Sequence, residues 1–138
     1  FIDWVGVLEV AKRLADEWGI LNQVSFRPGD ITTMDYGDCE FDIVLLGQIT
    51  YHLNIVQNKS ILRRVYRSLK PGGLVVINAP IADEKRCKSG ALMLAVVLFA
   101  LFGEKGDLYT FSEYKGMLED VGFSEVTKHS ESLISARK

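Results

Sequence analysis

Cysteine, proline and histidine are scarce in this 138-residue chain, at 2, 3 and 2 residues. Cys39 and Cys87 lie far apart and form no CxxC pair. With so few histidines beside them, neither a structural zinc site nor a disulfide scaffold is expected. The lack of a disulfide framework makes a reducing, cytoplasmic setting the expectation. An excess of charge of one sign is also missing. The net charge is -2, and the basic residues are interspersed with acidic ones. That leaves no electrostatic footprint for nucleic acid or an acidic membrane. The longest apolar run, 91–102, falls short of the roughly 20 residues that span a bilayer. Residues 1–4 lack a basic region followed by an apolar stretch, so no secretory leader is expected. The chain opens on Phe1 rather than Met, a start that either processing or cloning would produce.

What is present is the composition of a folded domain. Apolar residues make up 48% of the chain and charged residues 25%, enough for one hydrophobic core and too apolar for disorder. Val7, Leu8, Ala11, Leu14, Ala15 and Trp18 form a helical stripe ended by Gly19. Residues 24–27 read as a short strand closed by Pro28-Gly29. Residues 42–46 form an apolar run of the kind buried on both faces of a parallel sheet. Ile61, Leu62, Val65, Tyr66 and Leu69 make a second helical stripe. Pro71-Gly72-Gly73 is expected to stop that helix before a strand at 74–78. An apolar helix over 91–102, a turn at 103–106 and a helix over 112–121 follow. Thr110 or Ser112 is placed to cap the last helix and Gly122 to end it. Two further strands are expected near 125–129 and 133–136, paired with each other and at least one antiparallel to the rest. Alternation of this kind gives an α/β fold with a mostly parallel sheet, in one domain over residues 1–138.

In open α/β sheets ligands bind beyond the carboxyl ends of the strands. That rule selects Asp3, if Phe1-Ile2 is a strand remnant, then Gly29-Asp30, and then the stretch from Gly47 to His52. The ordered series Asp3-Trp4 with Val7-Leu8-Glu9-Val10-Ala11, Pro28-Gly29-Asp30-Ile31, residues 41–52, Leu69-Lys70-Pro71-Gly72-Gly73 and Gly106-Asp107-Leu108-Tyr109-Thr110 resembles the bacterial S-adenosylmethionine-dependent O-methyltransferases. These are relatives of the caffeate and hydroxyindole enzymes. The resemblance covers nearly the whole chain. It implies a Rossmann-like methyltransferase sheet, mostly parallel with an antiparallel C-terminal strand, whose first strand and glycine-rich loop are missing: no GxGxG occurs here.

The same resemblance assigns roles by position. Asp3 matches the carboxylate that accepts hydrogen bonds from both ribose hydroxyls, although an Asp there also serves as a helix cap. Gly29, Asp30 and Ile31 match the adenine-side loop, although Asp30 also suits an ordinary turn. Gly47 and Gln48 match the surroundings of the methionine portion and the methyl group. Tyr51 falls where the family carries its catalytic histidine, and His52 lies one residue later. Imidazole suits proton abstraction near neutral pH, whereas a phenol with a pKa near 10 does not. His52, if turned inward, is therefore the candidate base. His129 is expected to be structural. Met93, Leu94, Val97, Leu98 and Phe102 suit either an apolar acceptor pocket or a buried interface.

The implied function is methyl transfer from S-adenosylmethionine to a hydroxyl of a small, aromatic acceptor, with no metal. The competing reading is a non-catalytic remnant that keeps the fold and self-associates. Strand edges left open by a missing first strand point to a homo-oligomer.

Overall fold

The computed structural model describes residues 1–138 except 88 and 103–105. It separates into two compact units, Phe1–Asp35 and Tyr36–Lys138.

In the first unit, β1 (Ile2–Asp3) leads into α1 (Val5–Glu17), a 3-10 turn (Leu21–Gln23) and β2 (Arg27–Pro28). β1 and β2 are parallel, with Ile2 opposite Arg27 and Asp3 opposite Pro28. The strand expected over 24–27 is therefore shorter and later in the chain. The 3-10 turn takes up the approach to it, and Pro28, with no N–H, limits the ladder. Within the expected stripe of α1, Leu8 and Ala15 are buried, while Val7, Leu14 and Trp18 stay exposed. Two strands of two residues each have too little area to cover a three-turn stripe.

The second unit is built on β3 (Phe41–Gly47), α2 (Ile55–Ser68), β4 (Leu69–Asn78), α3 (Ser89–Phe102), α4 (Phe111–Val121), β5 (Ser124–Lys128) and β6 (Leu133–Arg137). Its sheet has the order β3-β4-β6-β5. β3 and β4 are parallel, β6 runs antiparallel to β4, and β5 antiparallel to β6. The expected parallel centre and closing antiparallel pair are both present. The β1-β2 pair stands as a separate two-stranded sheet.

α2 starts on a capping box: the Asn54 side chain accepts from Gln57 N at 2.9 Å, and the Gln57 side chain from Asn54 N at 3.1 Å. Its buried positions Asn58, Ile61, Leu62 and Val65 follow the 3.6-residue period. Rather than stopping at Pro71, the helix ends at Ser68 and the chain enters β4 directly. Lys70 to Gly73 bulge out, because Phe41 faces Leu69 while Ile43 already faces Leu74. Gly72 has φ of 75°, and a Cβ on Gly73 would sit 2.9 Å from the Lys70 carbonyl oxygen, so both positions need glycine.

Register places Val44, Leu46, Val75, Ile77, Ile134 and Ala136 on one face of the sheet. That face is covered by α2 and α4, and Val65, Val75, Leu118 and Ile134 are sealed from solvent in the core between them. Truncating any of these side chains is expected to cost about 2–5 kcal/mol for a Leu or Ile. The opposite face carries Ile43 and Leu45 on β3, each more than 60% exposed.

Candidate functional site

Four of the sequence-selected residues, Asp3, Gly29, Asp30 and Ile31, gather at the carboxyl ends of β1 and β2. Asp3 ends β1, and Gly29 N donates to the Asp3 carbonyl at 3.1 Å, which joins the two strand ends. The Asp3 carboxylate accepts from Trp4 N at 2.8 Å, so it also serves the start of α1. Asp30 Oδ1 accepts from both the backbone N and the hydroxyl of Thr32, at 2.7 Å each. This is an Asx turn, and it fixes the loop in which Ile31 lies half-buried. A Cβ on Gly29 would meet the Met34 sulfur at 2.7 Å, so a larger residue there would make that side chain shift.

The other group stands at the end of β3. Gly47 is exposed, and an added Cβ there would meet nothing within 4 Å. Gln48 takes a positive φ of 55°, a conformation costly for a side-chain-bearing residue and frequent at functional sites. It turns the chain out of β3. Its backbone N donates to the Asn78 carbonyl at 2.7 Å, and its side-chain amide donates to the Asn78 side-chain oxygen. The chain then makes a 3-10 turn over Thr50–His52, which places the rings of Tyr51 and His52 4.2 Å apart.

His52 is half-buried, with its Nδ1 atom out of reach of solvent. Burial lowers its pKa below the ordinary histidine value, and a backbone hydrogen bond with Gln48 offsets only part of that effect. The imidazole is therefore neutral near pH 7, the state able to accept a proton. His129 instead stands exposed on the β5–β6 hairpin, 2.7 Å from the Ser135 hydroxyl, in the structural role expected for it.

The turn is held by residues that sequence reasoning passed over. Asn58 Nδ2 donates to the carbonyls of Thr50 and Leu53 at 2.8 and 3.1 Å. Tyr109 OH donates to the Leu53 carbonyl at 2.6 Å, and the Thr50 and Tyr114 hydroxyls share a bond of 2.7 Å. Asp107 N donates to the Tyr51 carbonyl at 3.1 Å. Burial, with Asp107 adding to it, pushes the Tyr109 hydroxyl up to about 12, and burial also raises Tyr114. Both phenols stay protonated as hydrogen-bonding anchors. A polar residue inside the apolar stripe of α2 was the available signal for Asn58.

α3 approaches this turn. Leu98 is buried, while Met93, Val97 and Leu101 are exposed, so much of this apolar helix is uncovered. Part of the turn expected over 103–106 lies outside the described residues. Among the described residues no group of His, Cys, Asp and Glu is placed to hold a metal ion, and no helix is long and apolar enough to cross a membrane.

Comparison with known proteins bears on the family and the fold. Residues 3–77, more than half of the chain, match the methyltransferase domain family. The tetracenomycin polyketide synthesis 8-O-methyl transferase of Streptomyces glaucescens is 28% identical over 105 residues, 76% of this chain and 30% of the relative. A Nostoc punctiforme structure, provisionally described as an O-methyltransferase, superimposes with a TM-score of 0.92 at 31% identity, over 99% of this chain and 43% of that one. Human N-acetylserotonin methyltransferase, solved with S-adenosylmethionine, gives a TM-score of 0.82 at 23% identity, over 99% of this chain and 39% of that one. At that identity the likeness speaks for the fold. This chain spans less than half the length of each of these relatives. It belongs to the S-adenosylmethionine-dependent methyltransferase-domain family, with the Rossmann-like fold of that class.

Proposed function

We propose that residues 1–138 are the cofactor- and acceptor-binding part of an O-methyltransferase domain that methylates a hydroxyl of a small, aromatic molecule. The observation that carries this reading is His52: a neutral, half-buried imidazole on a hydrogen-bonded turn beyond the carboxyl end of β3. Names of the relatives support the acceptor class, since one serves polyketide synthesis and another acts on N-acetylserotonin.

The residues present fit the cofactor. Asp3 and Asp30 offer carboxylate oxygens at two adjoining strand ends, where a ribose diol and an adenine edge supply donors. Within the second unit, the backbone at Gly47 has nothing within 4 Å of where a Cβ would stand. S-adenosylmethionine supplies an electrophilic methyl group on a sulfonium. The chain's own task is to align the acceptor hydroxyl and remove its proton. The half-buried, neutral imidazole of His52 is the group that takes it. Tyr51, whose ring packs on His52, braces the imidazole rather than acting as a base. The two exposed free cysteines, Cys39 and Cys87, suit a reducing, cytoplasmic protein, with neither nucleic acid nor a membrane as partner.

Calorimetry with S-adenosylmethionine tests the cofactor half. Without a glycine-rich loop several backbone hydrogen bonds, each worth about 0.5–1.5 kcal/mol net, are not made. Binding by this chain is expected to be weak, and to return when a family glycine-rich segment is joined ahead of Phe1. In that extended protein Asp3→Ala should weaken cofactor binding, and His52→Ala should slow methyl transfer at nearly unchanged cofactor affinity. Micromolar affinity of the 138-residue chain would refute the need for the loop. Full turnover in His52→Ala would remove His52 from the mechanism.

The exposed Ile43 and Leu45 favour a second reading, in which the chain is non-catalytic and associates with its own copies through this face. A chain that does not turn over even with the glycine segment restored, yet forms stable dimers, would select it.

A further inference from the structure

Asn58 is 2% exposed and sits among Ile61, Leu62 and Val65 on the packing face of α2, where an apolar side chain would serve the core better. A carboxamide at such a position is tolerable only when its polar atoms find partners. Both hydrogens of its Nδ2 have one: the Thr50 carbonyl at 2.8 Å and the Leu53 carbonyl at 3.1 Å. Those two carbonyls bracket Tyr51 and His52, so a single planar group spans the turn from end to end. Tyr109 OH reaches Leu53, and Tyr114 OH meets the Thr50 hydroxyl.

We infer that Asn58 is a positioning residue for methyl transfer, its two amide hydrogens fixing the Thr50 and Leu53 carbonyls so that the turn between them presents His52 beyond the end of β3. The inference rests on the reading of His52 as the base and adds what holds that base in place. Residue shape explains the choice. Leu would fill the volume without donors, Gln would carry its amide one methylene too far, and Asp would set lone pairs against two carbonyl oxygens. A group locked by packing on a rigid helix holds a reacting side chain more closely than a loop contact does.

Nuclear magnetic resonance on the 138-residue chain tests this, with wild type beside Asn58→Leu, Asn58→Ala and Tyr109→Phe. In both Asn58 variants the His52 midpoint should move toward the ordinary histidine value, and the Tyr51–His52 ring contacts should be lost. Tyr109→Phe should produce the same changes in smaller measure. A residue that only packs would alter the melting temperature and leave the His52 midpoint and ring contacts as they were; that result overturns the inference. Should neither Asn58 variant fold, the wild-type side-chain amide decides. Its protons should exchange at least about a hundredfold slower than an exposed amide's, and exchange at the solvent rate overturns the inference. These readouts need no turnover, so loss of His52 from the mechanism would be seen separately, in the activity of His52→Ala.

Discussion

Burial of the His52 imidazole ties stability to pH in a definite direction. Its folded pKa lies below the unfolded value near 6.5, so the unfolded chain takes up the proton first as pH falls. Stability from the neutral ring is complete above about pH 6.5, declines through the window beneath it, and stops declining once the folded value is passed. Urea denaturation of wild type and His52→Gln between pH 7.5 and 5.5 should show a steeper loss in wild type; parallel curves would contradict the burial. In an active, loop-extended protein, methyl transfer should fall along the same titration. The Thr50–Tyr114 bond admits a second measurement. Tyr114→Phe strands a buried hydroxyl and should cost about 1–3 kcal/mol, with Thr50→Val in the same background costing less than it does alone. The sequence showed Tyr51 and His52 through their place after a strand, but not what grips them. Tyr109 and Tyr114 reach the turn across 56 and 64 positions, and no local pattern announces a contact at that separation.

α4 shows how fully a helix can be written in its own termini. Thr110 Oγ1 accepts from Glu113 N at 3.2 Å and the Glu113 carboxylate accepts from Thr110 N at 2.7 Å, while Gly122 closes the helix at φ 113°. Thr110, as one of two candidates beside Ser112, and Gly122 were legible as caps because capping chemistry is local, whereas the part played by Glu113 was not read. Thr110→Ala should lower stability by about 1 kcal/mol, read as a drop in melting temperature. The hydrogen bonds from Thr110 and the Arg86 ion pair overcome burial and hold Glu113 below its ordinary value. Its contribution is therefore present above the usual carboxylate range and is lost as pH falls through the lowered folded value; Glu113→Gln should flatten that part of the acid limb. Strands were less legible than helices. The 42–46 run announced β3 by its apolar residues, whereas the strand expected over 24–27 is reduced to the two-residue β2 at Arg27–Pro28, because pairing depends on a partner and not on composition. The exposed face of β3 gives the third element-scale expectation. Ile43→Thr with Leu45→Thr should leave the melting temperature within the small range usual for surface changes and should weaken any self-association.

At the scale of the whole molecule the α/β class and the parallel centre were readable from alternation, the antiparallel close was expected beside them, and the sheet has both. What alternation could not give was the split into a two-stranded and a four-stranded sheet, since that depends on which strands are available to pair. A dimer or larger assembly is the expected outcome in solution, and light scattering that finds a monodisperse monomer at high concentration would exclude it. One further property follows from the ties around Arg86. Its guanidinium meets Asp107 at 3.1 Å and Glu113 at 2.8 Å, Ala82 bridges to Thr110, and Glu84 accepts from Ser112 N at 3.1 Å. The chain thus departs for α3 and comes back through the same doorway. The ties between 82–86 and 107–113 do not depend on α3, and doubling a loop closed in this way costs only about 0.6 kcal/mol. The span that approaches the His52 turn is accordingly a replaceable cassette. Its length and side chains are free to vary while the frame around the turn stays the same.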